Sequence, residues 1–355
     1  MSETILSVLD QSPIRAGGTP AQAIAETLAL ARVAERLGYH RYWVAEHHSS
    51  AGLAGTAPEI LVARLAAETQ ALRVGSGGVM LSHYSPLKVA ETFRLLETLY
   101  PGRIDLGIGR APGADYRTTQ ALQHGPGALG LEHFPAQIAD LIGFLGDALP
   151  PGHPFAGVRA QPQGPGLPEL WLLGSSSGSA AYAAHFGCAF SFAHFISDMG
   201  GPAVTAAYRA LFRPSPWLAT PRGSIGVFVL CADSEAAAQR LARSRDLWRL
   251  RLDRGELGPF PSVGEAEGYA YTAEDRARIA VNRRRQVVGA PEQVRAELLA
   301  LGEAYGVDEF VVVTICHDFP SRVRSYELLA EVFGLRRRDR GCDSLPLEKT
   351  APQPI

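Results

Sequence analysis

A chain of 355 residues, 46% hydrophobic and 20% charged, can bury a large core, either as one big barrel or as two smaller domains. Its formal net charge of −2 supplies no basic face for nucleic acid, and the two lysines, Lys88 and Lys349, leave Schiff-base chemistry almost without a candidate. No stretch reaches the roughly 18 to 20 uninterrupted apolar residues of a membrane span, and the N-terminus has no basic segment followed by an apolar one, so a cytoplasmic location is expected.

Along the chain, apolar runs alternate with amphipathic stretches. A strand at 5–9 leads to a helix at 20–37 that Gly38 closes. Then follow a strand at 41–45, a helix near 58–68, a strand at 72–80, a helix from 86 to about 99 and a strand at 103–109. Residues 111–168 are rich in Gly and Pro and hold one predicted helix, near 134–149. The alternation resumes with strand 169–174, a helix from 177, strand 188–193, helix 202–212, strand 224–231 and a helix from 233 to about 254. After a polar stretch at 255–290, a helix begins at Pro291, the run "DEFVVVTI" makes an eighth strand at 308–315, and a helix at 320–333 ends the pattern.

Eight apolar strands alternating with helices predict an α/β fold, a closed (β/α)8 TIM barrel, formed as a single domain over 1–335. The stretches 111–168 and 255–290 read as loop insertions over the C-terminal face, and 336–355 as a poorly ordered tail. The basic runs at 283–285 and 336–338 read as solvated surface. Cys188, Cys231, Cys316 and Cys342 are far apart and form no C-x-x-C pair, which argues against a disulfide framework or a zinc site.

In such a barrel the chemistry sits where strands end and loops begin. Those ends read Asp10-Gln11-Ser12, Glu46-His47-His48, Leu81-Ser82-His83-Tyr84, Gly109-Arg110, Gly174-Ser175-Ser176-Ser177, His194 and His317. In "WLLGSSSGSAAYAA" (171–184) a strand passes through Gly174 and small hydroxyl residues into an Ala-rich helix. That composition suits a phosphate cradle built from Ser175, Ser176, Ser179 and free backbone N–H groups, although a serine N-cap needs only one of these residues. The same letters match G-x-S-x-G, a hydrolase elbow with Ser176 as nucleophile and Asp308 and His317 downstream; the eight-unit alternation fits that fold poorly. Gly109 would let a flat ligand approach the backbone and Arg110 would offer a bidentate donor to an anion, or Arg110 is a surface residue. Gly77 and Gly78 form a wall for a planar ring or allow tight barrel packing. His47 and His48 lack the spacing of a metal site, and one of them acting as a base or hydrogen-bonding group is the economical reading.

Together, "LSVLDQSP", "AERLGYHRYWVAEHH", "RVGSGGVMLSHYSPLKVAETFRLLETLYPGRIDLGIGRAPG", "ELWLLGSSSGSAAYAAHFG" and "VVGAPEQVRAELLALGEAYGVDEFVVVT" resemble the bacterial luciferase-like flavin-dependent monooxygenases over nearly the whole chain. The resemblance implies a (β/α)8 barrel that uses reduced FMN, supplied by a separate flavin reductase, and O2 to oxygenate a small organic substrate through a flavin peroxide. It implies Arg110, Ser175, Ser176 and Ser179 at the FMN phosphate, with backbone donors around Pro112. Gly77-Gly78 matches the position of a non-proline cis peptide beneath the flavin ring, and His47 matches the histidine near the reacting flavin, with His48 outside that role. Gly109 stands where luciferase has a reactive cysteine and Ser175 where it has a glutamate, so bioluminescence is not implied. A homodimer is expected. Hydride transfer without O2, on a deazaflavin or on FMN, and non-catalytic flavin binding are the alternatives.

Overall fold

The computed structural model describes residues 4–110, 115–123, 130–256 and 258–336. The predicted tail beyond Arg336 and the backbone around Pro112 lie outside these residues. Among the described residues the strands are β1 (Ile5–Asp10), β2 (Arg41–Val44), β3 (Arg73–Met80), β4 (Ile104–Gly109), β5 (Glu169–Gly174), β6 (Ala189–Ala193), β7 (Gly223–Cys231), β8 (Gln286–Gly289) and β9 (Glu309–Val313). The helices are α1 (Pro20–Leu37), α2 (Pro58–Glu68), α3 (Pro86–Leu99), α4 (Tyr116–Leu122), α5 (Phe134–Leu145), α6 (Ser177–Phe186), α7 (Gly201–Leu211), α8 (Glu235–Asp253), α9 (Val263–Gly268), α10 (Ala273–Arg283), α11 (Pro291–Tyr305) and α12 (Phe319–Phe333). Strands β1 to β7 pair in sequence and in parallel, β7 pairs with β9, and β9 returns to β1, which closes an eight-stranded barrel. The extra strand β8 pairs only with the upper part of β7, on the edge that β6 leaves free beyond Ala193.

Local chemistry explains the elements. Thr19 caps α1 by accepting from the Gln22 N–H, the Gln22 side chain accepts from the Thr19 N–H, and Pro20 occupies the first turn. Gly38, at φ 88°, ends that helix in the left-handed region and releases the chain into β2. The 134–149 helix stops earlier than its apolar pattern suggests, at Leu145, because Gly146 caps it and Asp147 turns to φ 52°. The insertion 111–168 also holds α4, capped by Asp115, and 255–290 folds into α9, α10 and β8 rather than an irregular stretch. Among the described residues no helix is long and apolar enough to cross a membrane.

The N-terminal half of the barrel is filled, and this sets where the cavity lies. Arg41, which opens β2, donates to Asp105 (2.7 Å), Glu309 (2.7 Å) and Glu169 (3.2 Å). Arg73 and Arg222 add pairs to Asp105 and Glu169, giving three cations against three carboxylates. Burial alone would raise the Glu169 carboxyl, but Arg41, Arg222 and Arg73 hold it at about 2. Trp43 donates to Asp105 and Trp171 to Glu169, and their rings meet edge-to-face with centroids 5.2 Å apart. Above this plug only the C-terminal mouth remains open.

Candidate active site

A cavity of about 460 Å³ occupies that mouth. From the residues the sequence nominated, its lining contains His47, Gly77, Gly78, Gly109, Arg110, Gly174, Ser175, Ser176 and Ser179. The floor is apolar, from Leu9, Trp43, Met80, Leu173 and Val311.

One end of the cavity is the start of α6. Ser176 caps that helix by accepting from the Ser179 N–H (3.4 Å), and the two hydroxyls stand 3.3 Å apart. Gly174 is required there, since a Cβ on it would lie 2.4 Å from Ser179 Oγ. Arg110, exposed at the end of β4, makes no ion pair or hydrogen bond with a described residue, and its Nη1 would stand 3.9 Å from a methyl group on Gly178. A guanidinium without a partner among the described residues, serine hydroxyls and a helix N-terminus therefore line one end of the cavity, an arrangement that favours an oxyanion. No histidine is within hydrogen-bonding reach of Ser176 among the described residues, and His317 instead donates to the Ala16 carbonyl (3.2 Å). The serine hydrolase alternative thus has no base beside its nucleophile.

The glycines divide into two kinds. The Gly77–Gly78 peptide is cis, and the pairing of β3 with β4 shifts register between Gly77 and Val79. A Cβ on Gly77 would meet Leu9 Cδ1 at 2.6 Å and one on Gly78 the Gly107 carbonyl oxygen at 2.6 Å, so close packing excludes a side chain even though both residues line the cavity. Gly109 differs, because nothing lies within 4 Å of its added Cβ. That space is open towards the cavity.

His47 and His48, consecutive residues in the loop that follows β2, have different partners. Buried Glu46 accepts from the Met80 N–H (3.0 Å), the Tyr84 hydroxyl (2.6 Å) and His48 Nε2 (2.7 Å). Burial, then the hydrogen bond to Glu46 and its charge, push the Tyr84 hydroxyl far above its usual range. His47 stands apart from this network: its backbone N–H donates to Gly55, and its buried Nδ1 has no hydrogen-bond partner among the described residues. Burial, reinforced by His48, lowers it to about 4, so it is neutral at pH 7.

Several strand-end residues do not reach this cavity. Asp10 is buried against Arg322 (2.8 Å) and Tyr42, and His194 bonds to Tyr305 (2.8 Å). Ser12, Ser82, His83 and His317 are likewise absent from its wall.

A second cavity of about 620 Å³ adjoins the first, sharing Gln11, His47, Phe195 and Ile196. Its far wall comes from α8 and the chain after it, through Arg245, Trp248, Arg249 and Gly258. The segment ending at Phe260 crosses the mouth, with Phe260 exchanging backbone hydrogen bonds with Ile14 and Ala16, and Trp248 stacking on Phe260 at 4.2 Å. The sequence reading missed Arg245, Trp248 and Arg249. Their one signal is spacing, since Ala238, Ala242, Arg245, Arg249 and Leu252 recur at helical intervals on one face. Among the described residues no group of three or more His, Cys, Asp or Glu could hold a metal ion.

Fold and site together define a (β/α)8-barrel enzyme with a two-chambered pocket at the C-terminal face. A sequence profile of the luciferase-like monooxygenases matches residues 5–309, and the chain belongs to that family, as an oxidoreductase. It is 39% identical over 331 residues to the N-acetyl-S-alkylcysteine monooxygenase of Bacillus subtilis (strain 168), covering 92% of this chain and 97% of that one. The crystal structure of apo-MsnO8 is 42% identical and superposes with a TM-score of 0.88, over 95% of this chain and 100% of the other. The oxygenating constituent of 3,6-diketocamphane monooxygenase from Pseudomonas putida, solved in complex with FMN, shares the fold at 18% identity and a TM-score of 0.66, over 93% and 98%.

Proposed function

We propose that this chain is an FMN-dependent monooxygenase that takes reduced FMN from a separate flavin reductase and uses O2 to oxygenate a small organic substrate. The observation that carries the reading is the inner cavity, which joins an apolar slot, open above Gly109, to an anion-binding helix start. That combination suits a flat ring with a phosphate tail. Arg110, Ser175, Ser176, Ser179 and the first amides of α6 would hold the phosphate, and Gly77, Gly78 and Gly109 would face the ring. When bound, reduced FMN supplies the electrons that activate O2.

The chain's own residues do the rest. The apolar floor and the segment up to Phe260 exclude water from the reacting centre. His47 lines both chambers and is neutral, so its imidazole has one nitrogen to accept a hydrogen bond and the other to donate one where substrate would meet cofactor. Glu46, His48 and Tyr84 fix the loop that presents it. The outer chamber would take the substrate, and N-acetyl-S-alkylcysteines, named for the B. subtilis relative, are the first compounds to screen.

Anaerobic titration tests the reading. The wild type should bind reduced FMN, and Arg110→Met should weaken FMN by about 10- to 100-fold while leaving riboflavin, which has no phosphate, unchanged. Binding of a reduced deazaflavin in place of FMN would favour hydride transfer without O2. Unchanged substrate-dependent oxygen transfer in His47→Ala would remove His47 from the mechanism.

A further inference from the structure

Arg245 is a cation without an anion. Its side chain comes off the buried face of α8 and is only 7% exposed, and it lines the outer cavity. The guanidinium makes neither an ion pair nor a hydrogen bond with any described residue, and its Nε and Nη1 are buried without partners. Its one contact of note is with the Phe228 ring, 3.5 Å from the guanidinium carbon to the centroid.

The neighbouring carboxylates are committed elsewhere. Asp246 is held by Arg283 (2.9 Å), and Asp253 by Arg249 (2.8 Å), Arg278 (2.9 Å) and Asn282 (3.0 Å). Asp115, on the rim of the same cavity, caps α4 and accepts from Thr118. Arg249, also on this wall, leaves its own Nε unpartnered. The local balance is therefore positive. Burial pushes the Arg245 guanidinium down to about 9, an effect that Asp246 opposes and Arg249 reinforces. A buried, unpaired guanidinium is unfavourable for folding. Its place in a cavity beside His47 is accounted for if a ligand brings the missing charge.

We infer that the outer cavity is a subsite for an organic anion, in which Arg245 binds a carboxylate and Phe195, Phe228, Trp248 and Leu252 cover the apolar part of the molecule. This rests on the reading that the inner cavity takes the flavin and leaves the outer one to substrate. Arg245 thereby selects substrates by charge, while His47, which lines the same cavity, meets the end to be oxygenated. Trp248 completes the apolar wall and is held by donating to the Gly258 carbonyl (3.0 Å).

Calorimetric titration with a matched pair, hexanoate and hexanamide, tests the subsite in FMN-loaded and FMN-free protein. The wild type should bind hexanoate about 10- to 100-fold more tightly than hexanamide. Arg245→Met should abolish that preference without weakening hexanamide, and Arg245→Lys should retain part of it. Arg245→Met should also unfold at a temperature no lower than the wild type, since it removes an unpaired buried charge. Equal binding of the two compounds by the wild type, which requires no variant to fold, would overturn the inference, as would a preference that survives in Arg245→Met. Inorganic sulfate competing as well as hexanoate would overturn the claim of an organic acid. Failure of the wild type to bind FMN would overturn the flavin reading alone, because the hexanoate preference is measured in FMN-free protein as well.

Discussion

Two glycines that line one cavity should respond in opposite ways to a side chain. At Gly109 an added Cβ has nothing within 4 Å, so Gly109→Val places three carbon atoms in the space assigned to the flavin and touches little of the protein. The loss of glycine's freedom in the unfolded chain should stabilise the cofactor-free protein by about 0.4–1 kcal/mol. For 355 residues, at about 2 cal/mol/K of unfolding entropy per residue, that is roughly 1 °C in Tm. Overlap with the ring should cost about 1–3 kcal/mol, or roughly 5- to 150-fold in the Kd for FMN. At Gly78 the same Cβ lies 2.6 Å from the Gly107 carbonyl oxygen and 2.8 Å from Leu173 Cδ1. Backbone cannot yield there without parting β3 from β4, so Gly78→Ala should lower stability by about 2–3 kcal/mol, roughly 3–4 °C. Flavin fluorescence titration and thermal unfolding of both variants measure the contrast. If Gly109→Val bound FMN as tightly as the wild type, the ring would not lie over Gly109 and the reading of the inner cavity would be wrong.

Further variants probe the supporting structure. His47 is held at about 4 by burial and by His48, against an ordinary 6.5, so the unfolded chain takes up a proton that the native state refuses between those values. Stability contributed by this site is complete above pH 6.5 and lost as pH falls towards 4, by about 2–3 kcal/mol after allowance for the ring's cavity-facing side. Urea midpoints across that range should fall less steeply in His47→Gln, and identical slopes would contradict the assignment. Arg41→Met leaves Glu309 buried without a cation and Asp105 with Arg73 alone, and should cost about 3–5 kcal/mol in urea unfolding; a neutral result would show that the barrel plug tolerates uncompensated charge. Tyr84→Phe removes the 2.6 Å bond to Glu46 and should cost about 1–2 kcal/mol while lowering turnover more than FMN affinity, because it loosens the His47 loop and not the phosphate site.

The barrel was legible because burial on both faces of a parallel sheet leaves uninterrupted apolar runs, and eight of these, joined by amphipathic helices, admit few other topologies. The inner chamber was legible for a related reason: its residues sit at strand ends or at the first turn of α6, so position in the chain translates directly into position at the mouth. That rule fails where a strand end is engaged elsewhere, as at Asp10, whose carboxylate pairs with Arg322 of α12. It fails more completely for the outer chamber, whose wall is supplied from the middle of a helix. In α8 the arginines at 245 and 249 carry the same letter as Arg240 and Arg243, which pair with Glu267 at the surface. Only the packing of the helix decides which face is covered, and packing is a long-range property that no window of sequence contains. The inner chamber is thus written in strand ends and the outer chamber in helix faces. Relatives that keep the first while changing residues on the inner face of α8 should therefore share a cofactor and differ in the charge of what they oxidise.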